Sequence, residues 1–208
     1  HGIAAPSEWS AGLGQWLERI DAESDAIVAR TVAWSAVNSG SYEQPGLSRM
    51  RILLADAYSD LPGAIEIVGL APSQRVTAAG EAVAVEHGAS LRLRVRPEAP
   101  LQVALTGHYD TVFPASHPFQ SNWREGDRLR GPGIADMKGG LSVMLAALRA
   151  FEAMPGAKHV GYEVLLSPDE EIGSPGSAPL LAELGARAHL GMTYEPAMAD
   201  GALVDARK

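Results

Sequence analysis

The run Leu101-Gln102-Val103-Ala104-Leu105-Thr106-Gly107-His108 is a compact apolar stretch that stops on a glycine and a histidine. Bounded by turn residues, it reads as a strand. Two more of the kind follow: residues 162–167, ending in Pro168-Asp169-Glu170-Glu171, and residues 189–194, ending at Glu195-Pro196. Between the first two, residues 138–154 form an Ala-, Leu- and Met-rich helical pattern. Strand, helix, strand, helix, strand predicts an α/β sheet with helices on its faces. In such sheets ligands bind outside the carboxyl ends of the strands. At those ends this sequence sets His108 and Asp110, then Glu170 and Glu171, then Glu195.

Towards the N-terminus, residues 7–34 carry Trp9, Leu13, Trp16, Leu17, Ile20, Ile27 and Val28, spaced mostly three or four apart. That spacing predicts one amphipathic helix with Ser7 as its N-cap, packed as an outer layer. After the turn-rich Asn38-Ser39-Gly40-Ser41, residues 47–61 repeat the helical pattern, closed by Pro62-Gly63. Residues 64–68, 83–85 and 91–95 read as short exposed or edge strands, the last alternating apolar residues with arginines.

Composition narrows the function. The 208 residues are 46% hydrophobic and 20% charged, as in an ordinary globular domain. Seventeen Lys and Arg against 25 Asp and Glu give a formal charge of −8 with no basic run, which argues against nucleic acid or an anionic membrane as partner. Without cysteine there are no disulfides, cysteine metal sites or thiol nucleophiles. The start lacks the basic and apolar regions of a signal peptide, and no apolar run is long enough to span a bilayer. A cytoplasmic location is the expectation, with periplasm or secretion left open.

Each acidic motif has a plain structural reading when taken singly. His108 and Asp110 are two apart, so in an extended segment both point to one side. They can tie down a turn, or the carboxylate can fix the ring of a metal-bound imidazole. Glu170 and Glu171 are adjacent and diverge, so that they can acidify a helix start or divide into a metal ligand and a base facing the attacking water. Gly131-Pro132-Gly133-Ile134-Ala135-Asp136-Met137-Lys138-Gly139-Gly140 is glycine-rich but fails as a phosphate loop, because Lys138 is followed by Gly139 and a polar stretch precedes it. It sets Asp136 at the mouth of a helix, where a carboxylate can bridge two cations. Together, one imidazole and five carboxylates at one sheet edge would repel without cations and raise each other's pKa. A pair of divalent metals resolves that conflict.

Gly107-His108-Tyr109-Asp110-Thr111-Val112, the 131–140 loop, Asp169-Glu170-Glu171-Ile172-Gly173-Ser174 and Tyr194-Glu195-Pro196 occur in this order. In order and spacing the set resembles the acetylornithine deacetylase, succinyl-diaminopimelate desuccinylase and glutamate carboxypeptidase family of dinuclear zinc metallohydrolases, closest to the glutamate carboxypeptidase branch. The resemblance implies an α/β three-layer sandwich with a mixed, mostly parallel central sheet, the catalytic domain of a zinc exopeptidase. It implies His108 and Glu195 on one zinc, Glu171 on the second, Asp136 bridging both across a cis Asp136–Met137 peptide, Asp110 orienting His108, and Glu170 as general base. Co2+ or Mn2+ are possible substitutes for Zn2+. The implied reaction is hydrolysis of an amide bond to release an amino acid from an N-acyl-amino acid or small peptide.

The departures are equally specific. Family members run to nearly twice this length, so residues 1–208 are expected to be the N-terminal portion of the catalytic domain. The lid and dimerisation domain and the closing segment, which brings a second histidine to the Glu171 zinc, are expected to be absent from this chain. His1, His87, His117, His159 and His189 are poor substitutes by position. A homodimer is expected for the full-length protein and a monomer for this chain. Two alternatives stand beside this reading: a truncated, catalytically incompetent chain that folds and binds metal weakly, and, more remotely, a nucleotide-binding α/β protein.

Overall fold

The computed structural model describes residues 13–198 and 201–202. In chain order these form helices α1 (Leu13–Ala22), α2 (Ser24–Ser35) and α3 (Gln44–Tyr58), then strands β1 (Ala64–Gly69), β2 (Ser73–Val76), β3 (Ala82–Val85), β4 (Ala89–Val95) and β5 (Leu101–His108). Strands β6 (Trp123–Glu125) and β7 (Arg128–Arg130), helix α4 (Gly139–Glu152), strand β8 (Val160–Ser167), helix α5 (Ala178–Arg187) and strand β9 (Leu190–Thr193) complete the described chain. The central sheet has the order β1-β4-β8-β5-β9, while β2–β3 and β6–β7 are separate hairpins. Strand β5 runs parallel to both β8 and β9; β4 runs antiparallel to both β1 and β8. Four strands therefore point one way and β4 alone opposes them, a mixed and mostly parallel sheet as the sequence led us to expect.

The apolar residues of the sheet divide between two helical layers. On one face Leu91, Leu93, Val95, Leu105, Val164 and Leu166 pack against Leu47, Met50, Leu54 and Tyr58 of α3 and Leu141, Met144, Leu145 and Leu148 of α4. On the other, Ala104 and Leu165 meet Leu180, Leu181 and Leu184 of α5. Strands β5 and β8 are covered on both sides, which is why they read as continuous apolar runs rather than as alternations. No helix of the described residues is long and apolar enough to cross a membrane.

Two sequence expectations change. The single helix over residues 7–34 is two helices: the Glu23 amide closes a short turn on the Ile20 carbonyl at 3.0 Å, and the Glu23 carbonyl then accepts from Ile27 at 2.9 Å to start α2. Ser7 and Trp9 lie outside the described residues. Helix α1 buries no residue, and α2 buries only Thr31, Trp34 and Ser35, which agrees with an outer layer. Residues 91–95, expected as an exposed or edge strand, lie inside the sheet between β1 and β8. Their arginines misled the reading because their charges are met within the fold. Arg92, with its side chain 7% exposed, sits 3.0 Å from Glu163, and Arg94 and Arg187 approach the same carboxylate at 3.2 and 2.8 Å. The Arg92 contact is a charge contact rather than an aligned hydrogen bond.

Glu163 is therefore the shared anion of three arginines beneath α5. Breaking a buried pair by removing one partner strands the other charge, at a cost of about 3–5 kcal/mol. Glu163→Ala should lower the urea-unfolding stability by up to about that much; a loss below ~1 kcal/mol would show that Glu66 and Glu183, 3.7 and 3.6 Å from Arg92, take over its charge.

Candidate metal centre

Because β5, β8 and β9 are parallel, their carboxyl ends open on one edge. His108 ends β5 in register with Ser167 of β8, and the chain leaves β8 directly into Asp169-Glu170-Glu171. Strand β9 ends at Thr193, two residues before Glu195. Asp136 arrives differently, on the turn Ile134–Lys138 that leads into α4. Two glycines make the approach possible. Gly133 adopts a left-handed φ of +68°, with a would-be Cβ 2.8 Å from the Thr111 methyl, and a Cβ on Gly140 would run into the Tyr194 carbonyl oxygen. The second contact lets the Glu195 segment close over the start of α4.

All six residues singled out in the sequence meet here. The His108 imidazole is fully buried. Its Nε2 lies 2.9 Å from Asp136 Oδ1, 3.7 Å from Glu195 Oε1 and 3.9 Å from Glu170 Oε2. Donor atoms of His108, Asp136 and Glu171 all fall within 4.8 Å of one another. On the other side of the ring, Nδ1 lies 3.1 Å from the Asp110 carbonyl and 3.3 Å from its Oδ1. Asp110 is fully buried as well: Oδ1 accepts the Glu170 amide at 3.1 Å, and Oδ2 accepts the Glu171 amide at 3.2 Å and the Ser41 hydroxyl at 2.7 Å. The Asp136–Met137 peptide is cis.

The electrostatics call for a cation. Burial works against a charged His108, yet the Asp110 and Glu195 carboxylates outweigh it, and the ring holds its proton up to about 11. Burial first, and then the Asp136 charge, push the Glu171 carboxyl up to about 7. Burial also raises Glu170, with Glu195, Asp110 and Asp136 adding to the shift against the pull of His108. A nitrogen and several carboxylate oxygens converging within a few ångströms match the donor set of Zn2+, whose ligand atoms stand roughly 3.3 Å apart in a tetrahedron of ~2.0–2.1 Å bonds. The residues present fit such an ion.

The other described histidines are engaged elsewhere. His87 pairs with the Ser73 hydroxyl at 2.9 Å, His117 accepts the Phe119 amide at 3.0 Å, and His189 accepts the Gln102 amide at 3.2 Å. His159 ends the turn before β8, and His1 lies outside the described residues. Two recesses flank the carboxylates and share Val112 and Glu171. One, of about 320 Å³, is lined by Gly40, Tyr42, Thr111 and Ile172; the other, of about 280 Å³, by Phe113, Phe119, Ile134 and Asp136.

Sequence reasoning missed Ser41 and treated Lys138 only as a failed phosphate contact. Lys138 is fully buried and donates to the Trp34 and Val37 carbonyls at 3.1 and 2.8 Å. Burial pushes its ammonium down to about 7, with the Asp110 charge opposing. No local motif marks either residue, since each finds its partner across 69 or more positions. The turn-rich composition of residues 38–41 was the one available signal.

Known proteins are similar to parts of this chain. Residues 104–206 match peptidase family M20/M25/M40. Carboxypeptidase G2 of Pseudomonas sp. is 34% identical over 110 residues, 51% of this chain and 26% of the relative. Succinyl-diaminopimelate desuccinylase 2 of Shewanella loihica is 35% identical over 112 residues, 50% of this chain and 29% of the relative. The fold is that of human carnosine dipeptidase 1, with a TM-score of 0.70 at 19% identity over 87% of this chain and 40% of that protein. The matched stretches thus span under a third of these curated relatives. In the stretch that carries every ligand candidate, residues 104–206, this chain is similar to peptidase family M20/M25/M40.

Proposed function

We propose that this chain carries the metal centre of a hydrolase that cleaves an amide bond, releasing an amino acid from an N-acyl-amino acid or a small peptide. The observation that carries the reading is the convergence of one buried imidazole with the Asp136, Glu170, Glu171 and Glu195 carboxylates at the ends of three parallel strands. The reading also rests on relatives that are a carboxypeptidase and a desuccinylase. His108, Asp136 and Glu195 would hold one Zn2+, and Asp136 and Glu171 a second. When bound, such ions supply Lewis acidity towards the scissile carbonyl and make water a better nucleophile.

The chain's own residues supply the rest. Asp110 fixes the His108 ring through Nδ1, leaving Nε2 free to face the ion. Glu170, half-exposed and raised towards neutrality, takes the proton of the attacking water and returns it to the leaving amine. The two recesses beside Glu171 receive the two sides of the amide. The share of the relatives that is matched is compatible with residues 1–208 being the N-terminal portion of a catalytic domain, and the whole protein would be a homodimer. One observation favours the second reading, a chain that folds and binds metal without turnover: among the described residues, no second imidazole reaches the Glu171 side.

Calorimetric titration of this chain with Zn2+ should show one ion bound more tightly than a second, and His108→Ala should abolish the tighter event. Two equally tight ions, or a variant that binds like the wild type, would refute the assignment. Uptake must displace the His108 proton, and below about pH 7 the Glu171 proton too, so affinity should fall as pH is lowered and protons should be released into the buffer. In the whole protein, Glu170→Gln should cut kcat by about 10²–10⁴ with zinc content unchanged; full turnover would remove Glu170 from the role of base.

A further inference from the structure

The centre is not contained in the segment that carries the family match. Residues 34–41, which precede that segment, run along the end of β5 and are stitched to it. The Thr111 amide donates to the Ser39 carbonyl at 3.0 Å and the Ser41 amide to the Thr111 carbonyl at 3.2 Å. The Ser39 hydroxyl donates to the Tyr109 carbonyl at 2.7 Å. Lys138, two residues after Asp136, donates to the Trp34 and Val37 carbonyls. One segment thus grips both the strand end that carries His108 and the turn that carries Asp136.

Ser41 differs from these stitches in its target. Its buried hydroxyl donates to Asp110 Oδ2, the oxygen that also receives the Glu171 amide, while Oδ1 receives the Glu170 amide and faces His108. The Asp110 carboxylate is therefore the one group that touches the imidazole and both residues of the Glu170–Glu171 turn. Ser41 is the only side chain among the described residues that donates a hydroxyl to it. Without that donor, the fully buried carboxylate keeps its two backbone partners and the His108 contact, but Oδ2 is left one donor short, which weakens its hold on one side.

We propose that Ser41 is a positioning residue of the metal centre: through Asp110 it sets the orientation of His108 and of the Glu170–Glu171 turn, so that the N-terminal segment completes the site. This rests on the metal-centre reading above. Partners bonded directly to a metal ligand, the place Asp110 holds beside His108, contribute about 10–100-fold to metal affinity, and Ser41, one contact further back, is expected at the lower end of that range.

The test is Zn2+ titration calorimetry on this chain and on two variants, with circular dichroism of the metal-free proteins as the check on folding. Ser41→Ala should weaken the tighter Zn2+ site about tenfold or more, and the Co2+-loaded variant should show an altered visible absorption spectrum. Ser39→Ala removes an equally buried hydroxyl bond from the same segment, one made to a backbone carbonyl instead, and should leave affinity and spectrum within about twofold of the wild type. Equal affinity in Ser41→Ala and wild type, or equal losses in both variants, overturns the positioning role. Should Ser41→Ala fail to fold, Ser41→Thr and Ser41→Val, alike in shape and different in the hydroxyl, carry the comparison: tighter Zn2+ in the threonine variant supports the role, and equal affinity overturns it. A wild-type chain that takes up no Zn2+ would sink the metal-centre reading, and this inference with it; a wild-type chain that binds isolates the role of Ser41.

Discussion

A carboxylate with no solvent exposure governs this structure. Asp110 is buried beside a buried imidazole, and a charge in that position persists only when every lone pair has a partner. The partners come from three separate parts of the chain: the Ser41 hydroxyl before the sheet, the His108 ring at the end of β5, and the Glu170 and Glu171 amides after β8. Satisfying one group therefore fixes the relative positions of the ligand, the candidate base and the N-terminal layer. The geometry of the centre follows from the need to solvate Asp110 with protein.

Around that hub the fold concentrates negative charge on half-exposed carboxylates at the mouth of a buried imidazole. Asp136, Glu170, Glu171 and Glu195 all face His108; burial first, and then their mutual repulsion, raises the Glu171 and Glu170 carboxyls, while the Asp110 and Glu195 carboxylates hold the His108 proton. Such an arrangement is unfavourable for a resting protein and favourable for a cation site, since a divalent ion converts repulsion among ligands into attraction. Lys138 stands close by and feels the Asp110 charge, but its two hydrogen bonds go to carbonyls of the 34–41 segment and not to the carboxylates. Its buried ammonium is a structural tie.

The parallel strands were legible as continuous apolar runs because β5 and β8 are covered on both faces, and their ends were legible because histidine and acids follow them directly. His108, Asp110, Asp136, Glu170, Glu171 and Glu195 all sit on local motifs, so order along the chain was enough to find them. Strand β4 was misread as exposed because its arginines look solvated until Glu163, some 70 positions away, is folded against them. The break at Glu23 was missed because the apolar spacing of residues 16–28 continues through it without a glycine or proline.

The sequence by itself determined an α/β sheet with a cluster of candidate metal-ligating residues at the carboxyl ends of its parallel strands, since periodicity and strand-end chemistry are local properties. Tertiary structure alone decided which charges are held by which partners: Asp110 by Ser41, Lys138 by the Trp34 and Val37 carbonyls at and just past the end of α2, and Glu163 by three arginines. The reason is that each of these contacts joins a charge to a partner distant in sequence. The chain carries no local mark of which buried charge will find which partner until the layers close.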